Sequence, residues 1–132
     1  MQTLITVHAL IQYEDKYIVL KRAAHRSNPG YWNCVTGHIK EHESAEEAVI
    51  REVKEETNLD GTIIKTAEPF IHITGERRWV ILAYLINVED ISNLKVDSNE
   101  SEEYRWITKE DRMISEYKGM EDTFKLLGII ND

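Results

Sequence analysis

Gly37 to Leu59 reads GHIKEHESAEEAVIREVKEETNL, and the spacing within this stretch decides the fold. Ser44 followed three residues later by Glu47 is a capping box: the serine hydroxyl accepts from the Glu47 N–H and the glutamate reaches back to the serine N–H. The box predicts a helix over Ala45 to Thr57. Asn58 suits the left-handed position that ends a helix, and Leu59 supplies the apolar contact that accompanies such a cap. On a wheel at about 100° per residue, Ala45, Ala48 and Val49 share a face that should be buried. That face continues through Glu52, Glu55 and Glu56, where a plain amphipathic helix would carry aliphatic residues. Glu43, Glu47, Arg51 and Lys54 fall on the outward side, with Glu47 and Arg51 in the favourable i, i+4 order. Carboxylates at these spacings repel by roughly 0.2–0.5 kcal/mol per exposed pair, and more when desolvated. Such a cluster needs a counter-charge, and a hard divalent cation that takes oxygen ligands is the natural one. The plainer alternative is a solvated, glutamate-rich surface.

Outward from this helix the pattern is that of strands. Thr3, Ile5, Val7, Ala9 and Ile11 line one face of a strand from Thr3 to Ile11. Tyr13 to Lys16 reads as a tight turn into a second strand, Tyr17 to Lys21. Arg22 to Tyr31 has the Ser-Asn-Pro-Gly composition of a loop, and a short strand over Trp32 to Thr36 then meets Gly37. Thr62 to Ile73 and Trp79 to Val88 read as a strand pair broken near Gly75. Ile91 to Glu100 is a polar loop, Tyr104 to Ile107 a last short strand, and Lys109 to Ile129 carries one or two helices. The expected architecture is a single α/β domain over residues 1–132, a mixed sheet layered between helices.

Sixteen Lys and Arg against 24 Asp and Glu leave a net charge of −8 on 132 residues. That balance argues against binding a long nucleic acid or an anionic membrane, which both need a positive footprint. Phosphate-bearing small molecules remain open, because bound cations invert the local field. The longest apolar run, Trp79 to Val88, is too short for a membrane span. Cys34 stands alone, so no internal disulfide exists and the thiol reads as a small core residue. A cytoplasmic chain is the expectation, and a homodimer is compatible with it.

Gly37, Glu43, Arg51-Glu52-Val53, Glu55-Glu56 and Asn58-Leu59 resemble the Nudix box, Gly-x5-Glu-x7-Arg-Glu-apolar-x-Glu-Glu-x-Gly-apolar, here residues 37–59. Only Asn58 departs, where the family has glycine, and asparagine is the next most tolerant of a left-handed backbone. The resemblance implies a Nudix-type α/β/α sandwich and hydrolysis of a nucleoside diphosphate linked to another group, with Mg2+ or Mn2+. By the same resemblance Glu52, Glu55 and Glu56, helped by the Gly37 carbonyl, hold the metal, and one of these glutamates or one on a later loop activates the attacking water. Arg51 resembles the box arginine that orients a glutamate, and Glu43 its structural partner.

Outside the box, Arg22 occupies the place where MutT-like proteins carry a substrate-phosphate arginine, against the alternative of an ordinary strand end. Glu100, with Glu103 next, fits the extra carboxylate that family members place ahead of the last strand; a solvated acidic loop is the alternative. Tyr31, Trp32 and Trp79 are aromatics able to stack on a base; Trp32 is assigned to substrate binding, although each also fits a core or rim role. His38 and His42, in the loop of the box, read as exposed. The approach Tyr31-Trp-Asn-Cys-Val-Thr-Gly37 resembles the dATP pyrophosphohydrolase and dihydroneopterin triphosphate group. This ranks a (deoxy)nucleoside or pterin triphosphate first. ADP-ribose, a dinucleoside polyphosphate or an RNA 5′-end follow, and a non-catalytic Nudix-fold binding module is the alternative of another class.

Overall fold

The computed structural model describes Met1–Asp132, with strands β1 (Gln2–Tyr13), β2 (Lys16–Arg22), β3 (Trp32–Asn33), β4 (Val35–His38), β5 (Thr62–Thr66), β6 (Phe70–Thr74), β7 (Arg77–Asn87) and β8 (Ser101–Ile107). The helices are α1 (Ala45–Thr57) and α2 (Lys118–Leu126), the latter preceded by a 3-10 turn at Arg112–Glu116. β1 is the spine. It runs parallel to β7 from Gln2↔Arg77 to Gln12↔Asn87. Its other edge is shared: β4 pairs antiparallel with Thr6 to Ala9, while β2 joins only at Gln12 and Tyr13. The two neighbours therefore diverge, and a cleft opens where the sheet splits. β2 in turn carries β3 and β8, and β7 carries β5 and β6, which completes a mixed sheet.

Period-two alternation buries both faces of β1. Val7, Ala9 and Ile11 pack with Ala48, Val49 and Val53 of α1, whereas Leu10 packs with Met120, Phe124 and Leu127 around α2. The expected α/β/α layering is present. Each fully buried aliphatic side chain contributes about 1.5–3 kcal/mol relative to exposure. Helix α1 has the predicted bounds and both bonds of its capping box, Ser44 N to Glu47 Oε1 at 2.9 Å and Glu47 N to Ser44 Oγ at 3.1 Å. It ends on Asn58 at φ 59°, the left-handed conformation that substitutes for the box glycine. No helix is long and apolar enough to cross a membrane.

Three strand readings differ in the structure. Trp32 to Thr36 is two strands, because Asn33 Oδ1 accepts from the Cys34 N–H at 2.8 Å and the chain steps from β2 across to β1. Thr62 to Ile73 is likewise two, interrupted at Pro69, which has no N–H to give a ladder. β8 begins at Ser101, three residues early, through pairing with Arg22 across a register shift.

Candidate active site

The C-terminal half of α1 runs under β4 and brings its carboxylates to the mouth of the split. Arg51 is the hub. Its Nε and Nη2 donate to Glu43 Oε2 and Oε1 at 2.8 and 2.9 Å, a bidentate pair, and Nη2 also reaches the His38 carbonyl at 2.9 Å. Its Nη1 donates to Glu52 Oε1 at 2.8 Å and Glu55 Oε2 at 3.1 Å. The wheel placed Arg51 on the outward side, paired with Glu47 one turn earlier. The structure corrects this: Glu47 is occupied by the capping box, and Arg51 folds over the helix to tie the loop from His38 to Glu43 onto the carboxylates. The guanidinium and the Lys40 N–H hold the Glu43 carboxyl down at about 2.

Glu56 is different. It is 8% exposed, and its Oε2 is the one buried side-chain polar atom in the molecule with no partner. Desolvation, then the charges of Glu52 and Glu100, push its carboxyl up to about 9. An orphaned buried oxygen beside a second carboxylate fits a bound hard cation, whose positive charge would satisfy both. Gly37 fits the same reading: a Cβ there would overlap the Glu52 carboxyl group, so only glycine lets β4 pass this close. The Gly37 carbonyl accepts from Thr6 Oγ1 at 2.9 Å, which uses one of its two lone pairs. As the side chains stand, no three of them converge on a common ion position. The reason is visible in the ion pairs, since Arg51 holds Glu52 and Glu55 toward itself.

The cleft has a volume of about 840 Å³, and Arg51, Glu52, Glu55, Glu56 and Gly37 line one end of it. Arg22 lines it too, anchored by Nε on the Ser27 carbonyl at 2.7 Å, and Arg26 stands alongside. Glu100 joins the cleft between these arginines and Glu56, at 3.4 Å from Arg26 and 3.9 Å from Arg22. Glu103 does not: it faces Lys21 at 3.9 Å, outside the lining.

Trp32 also stays out. It is 6% exposed within the α2-side core, with the Arg105 guanidinium 4.9 Å from its ring centroid, so it stabilises the fold instead of touching a ligand. Trp79 and Tyr31 line the cleft in its place. His38 lines it and His42 does not. Asn58 is structural, its amide donating to the Asn93 carbonyl at 2.9 Å. Cys34 is buried at the cleft wall, and burial pushes its thiol up to about 12.

Sequence reasoning missed Asp97, Arg26 and His8, all in the cleft wall. The first two sit on loops with no periodic signal. The third, an even-numbered residue of β1, was concealed by attention to the odd face.

The chain matches the model for the NUDIX domain over residues 2–127. It is 32% identical over 117 residues to the nucleoside triphosphatase NudI of Klebsiella pneumoniae, covering 77% of this chain and 79% of that protein. It is 33% identical over 100 residues to the human NAD-capped RNA hydrolase NUDT12, covering 75% of this chain but only 21% of the relative. It is 39% identical over 57 residues to the Escherichia coli dihydroneopterin triphosphate diphosphatase, 43% of this chain and 35% of that one. The chain thus spans about a fifth and about a third of the length of the last two relatives. Among solved structures, the MutT protein from Methanosarcina mazei superposes with a TM-score of 0.70 at 27% identity, covering 81% of this chain and 78% of the other. With the box, the split sheet and this coverage together, the chain belongs to the Nudix hydrolase family.

Proposed function

We propose that this chain is a metal-dependent pyrophosphohydrolase that cleaves a phosphoanhydride bond in a nucleoside diphosphate linked to another group, with a (deoxy)nucleoside or pterin triphosphate as substrate. The carrying observation is Glu56: a buried carboxyl with an unpartnered oxygen, beside Glu52 and across the cleft from arginines. Nothing in the packing explains such a group, whereas a divalent ion does. Glu52, Glu55, Glu56 and the Gly37 carbonyl would hold Mg2+ or Mn2+, with Glu100 at the margin. When bound, the ion would withdraw charge from the phosphate oxygens and make water a stronger nucleophile.

The protein's own groups do the rest. Arg22 and Arg26 meet the outer phosphates and neutralise charge as the anhydride bond breaks. Arg51 aims the Glu52 carboxylate through its 2.8 Å bond, so that Glu52 is the base that takes the proton from the attacking water. Glu56, whose burial raises its carboxyl, would have to release its proton to serve as a ligand of the cation. Trp79 offers its ring to the substrate's heterocycle. The likeness to the nucleoside triphosphatase NudI over most of both chains supports the triphosphate class.

The test is a panel of nucleoside and pterin triphosphates, ADP-ribose, dinucleoside polyphosphates and capped RNA ends, assayed for phosphate and pyrophosphate release with Mg2+ or Mn2+. Metal-dependent release from a triphosphate, lost in Glu56→Gln, is the expected result. Full turnover in excess chelator would overturn it, and metal affinity without hydrolysis of any compound would identify a binding module.

A further inference from the structure

The cleft also holds a group of polar side chains around a histidine that the hydrolytic chemistry does not use. His8 of β1 is 8% exposed and lines the cleft. Its one hydrogen bond joins Nδ1 to Thr123 Oγ1 of α2 at 3.2 Å. The Thr123 hydroxyl has a single hydrogen, which it donates to the Gly119 carbonyl at 3.0 Å. Its oxygen must therefore accept from His8, so the proton sits on Nδ1 and Nε2 is left as a bare acceptor. Burial lowers the imidazole to about 4, so the ring is neutral near pH 7. Nε2 has no partner in the protein, and Glu56 Oε2 is the only partnerless polar atom sealed from the surface. Nε2 thus opens onto the cleft.

Two neighbours have equally fixed polarity. Asn33 Oδ1 accepts from the Cys34 N–H at 2.8 Å, which orients the amide and leaves Nδ2 as a free donor. The Tyr31 hydroxyl accepts from the Gly119 N–H at 3.0 Å, which leaves its own hydrogen free to donate. Both residues line the cleft with His8. One acceptor and two donors, each set by a backbone or helix contact, form a preorganised edge.

We infer that His8 Nε2 selects the substrate's heterocycle by accepting a hydrogen bond from an exocyclic amino group, with Asn33 and Tyr31 donating to acceptors on the same ring edge. The inference rests on the proposed nucleotide or pterin substrate and deepens it: the favoured heterocycle is an amino-bearing one. A site built to hydrogen-bond a substrate group discriminates strongly against the analogue lacking it, because the protein's polar atom is left unpaired. His8 is a specificity residue and takes no part in bond breaking.

The experiment uses matched triphosphates that differ only in the amino group, ATP against purine riboside triphosphate and CTP against 2-pyrimidinone riboside triphosphate. Wild-type protein should favour the amino-bearing member of at least one pair by about 10-fold or more in kcat/KM, carried by KM. His8→Phe should bring that ratio to about 1, and His8→Gln, which retains an acceptor, should recover part of it. An unchanged ratio in His8→Phe, an equal loss on both members, or no preference in wild type overturns the inference. Calorimetric titration of the same pairs reads the preference without turnover. A preference that survives while no compound is hydrolysed sinks the proposed reaction and leaves the reading of His8 intact.

Discussion

Val53 and Glu56 lie one turn apart on α1, and both are buried, at 0% and 8% exposure. The first is ordinary core, packed with Val7, Ala9 and Ile86 against the sheet. The second is a carboxyl in the same kind of place without the contacts that would make burial favourable. Val53 stabilises the fold at any pH, whereas Glu56 costs stability whenever it is charged and unsatisfied. The same half of one helix thus carries a residue that assembles the fold and one that makes the site reactive. The Arg51 hub makes the juxtaposition tolerable, because it neutralises Glu43, Glu52 and Glu55 and leaves Glu56 alone.

The sharpest way to break this contrast is to remove the charges. Glu52→Gln should lower turnover by about 10²–10⁴-fold with metal affinity only partly reduced if it is the base, whereas Glu56→Gln should lose turnover and metal affinity together. Turnover against Mn2+ concentration for both variants separates the roles, and near-native turnover in both at limiting metal would remove α1 as the catalytic centre. The converse substitution, Val53→Ala, should cost about 2 kcal/mol of stability, read by urea denaturation, with metal affinity unchanged.

The pH dependence should divide along the same line. The Glu56 carboxyl titrates near 9 when folded against an ordinary value of 4.5, so the folded state holds the proton more tightly. Its neutral form costs nothing below the unfolded value, and stability should fall as pH rises from about 4.5 toward 9. Melting temperature followed from pH 5 to 9 should decline in the metal-free protein, flatten in Glu56→Gln, and recover with added Mn2+. A flat wild-type profile would show Glu56 already ionised and paired.

Glu43 has the opposite sign. Its carboxyl lies near 2 when folded, below the ordinary 4.5, so the Arg51 pair stabilises above the latter value and is lost as pH falls between the two. Arg51→Lys, which cannot reproduce the fork to Glu43, should lower stability slightly. The readouts are an earlier acid transition and a modest drop in kcat as Glu52 loses its orientation. Ser44→Ala should cost about 1 kcal/mol from the lost cap with kcat unchanged.

Local chemistry was enough for helix α1. Its cap, its length, its left-handed end and its row of glutamates all depend on residues within one or two turns of each other, so Ser44, Glu47, Asn58 and the spacing of Glu52, Glu55 and Glu56 state them directly. The family followed from the same short stretch. The partners of those residues depend on sequence separations that no periodicity encodes. Arg51 chose Glu43 over Glu47 because the loop curls back over the helix. Trp32 went to the core because the chain changes strands at Cys34. Arg26, Asp97 and His8 meet the cleft only because β2 and β4 leave the two ends of one edge of β1, and polar atoms brought together in that way acquire their burial, their charge state and their free lone pairs from the fold as a whole.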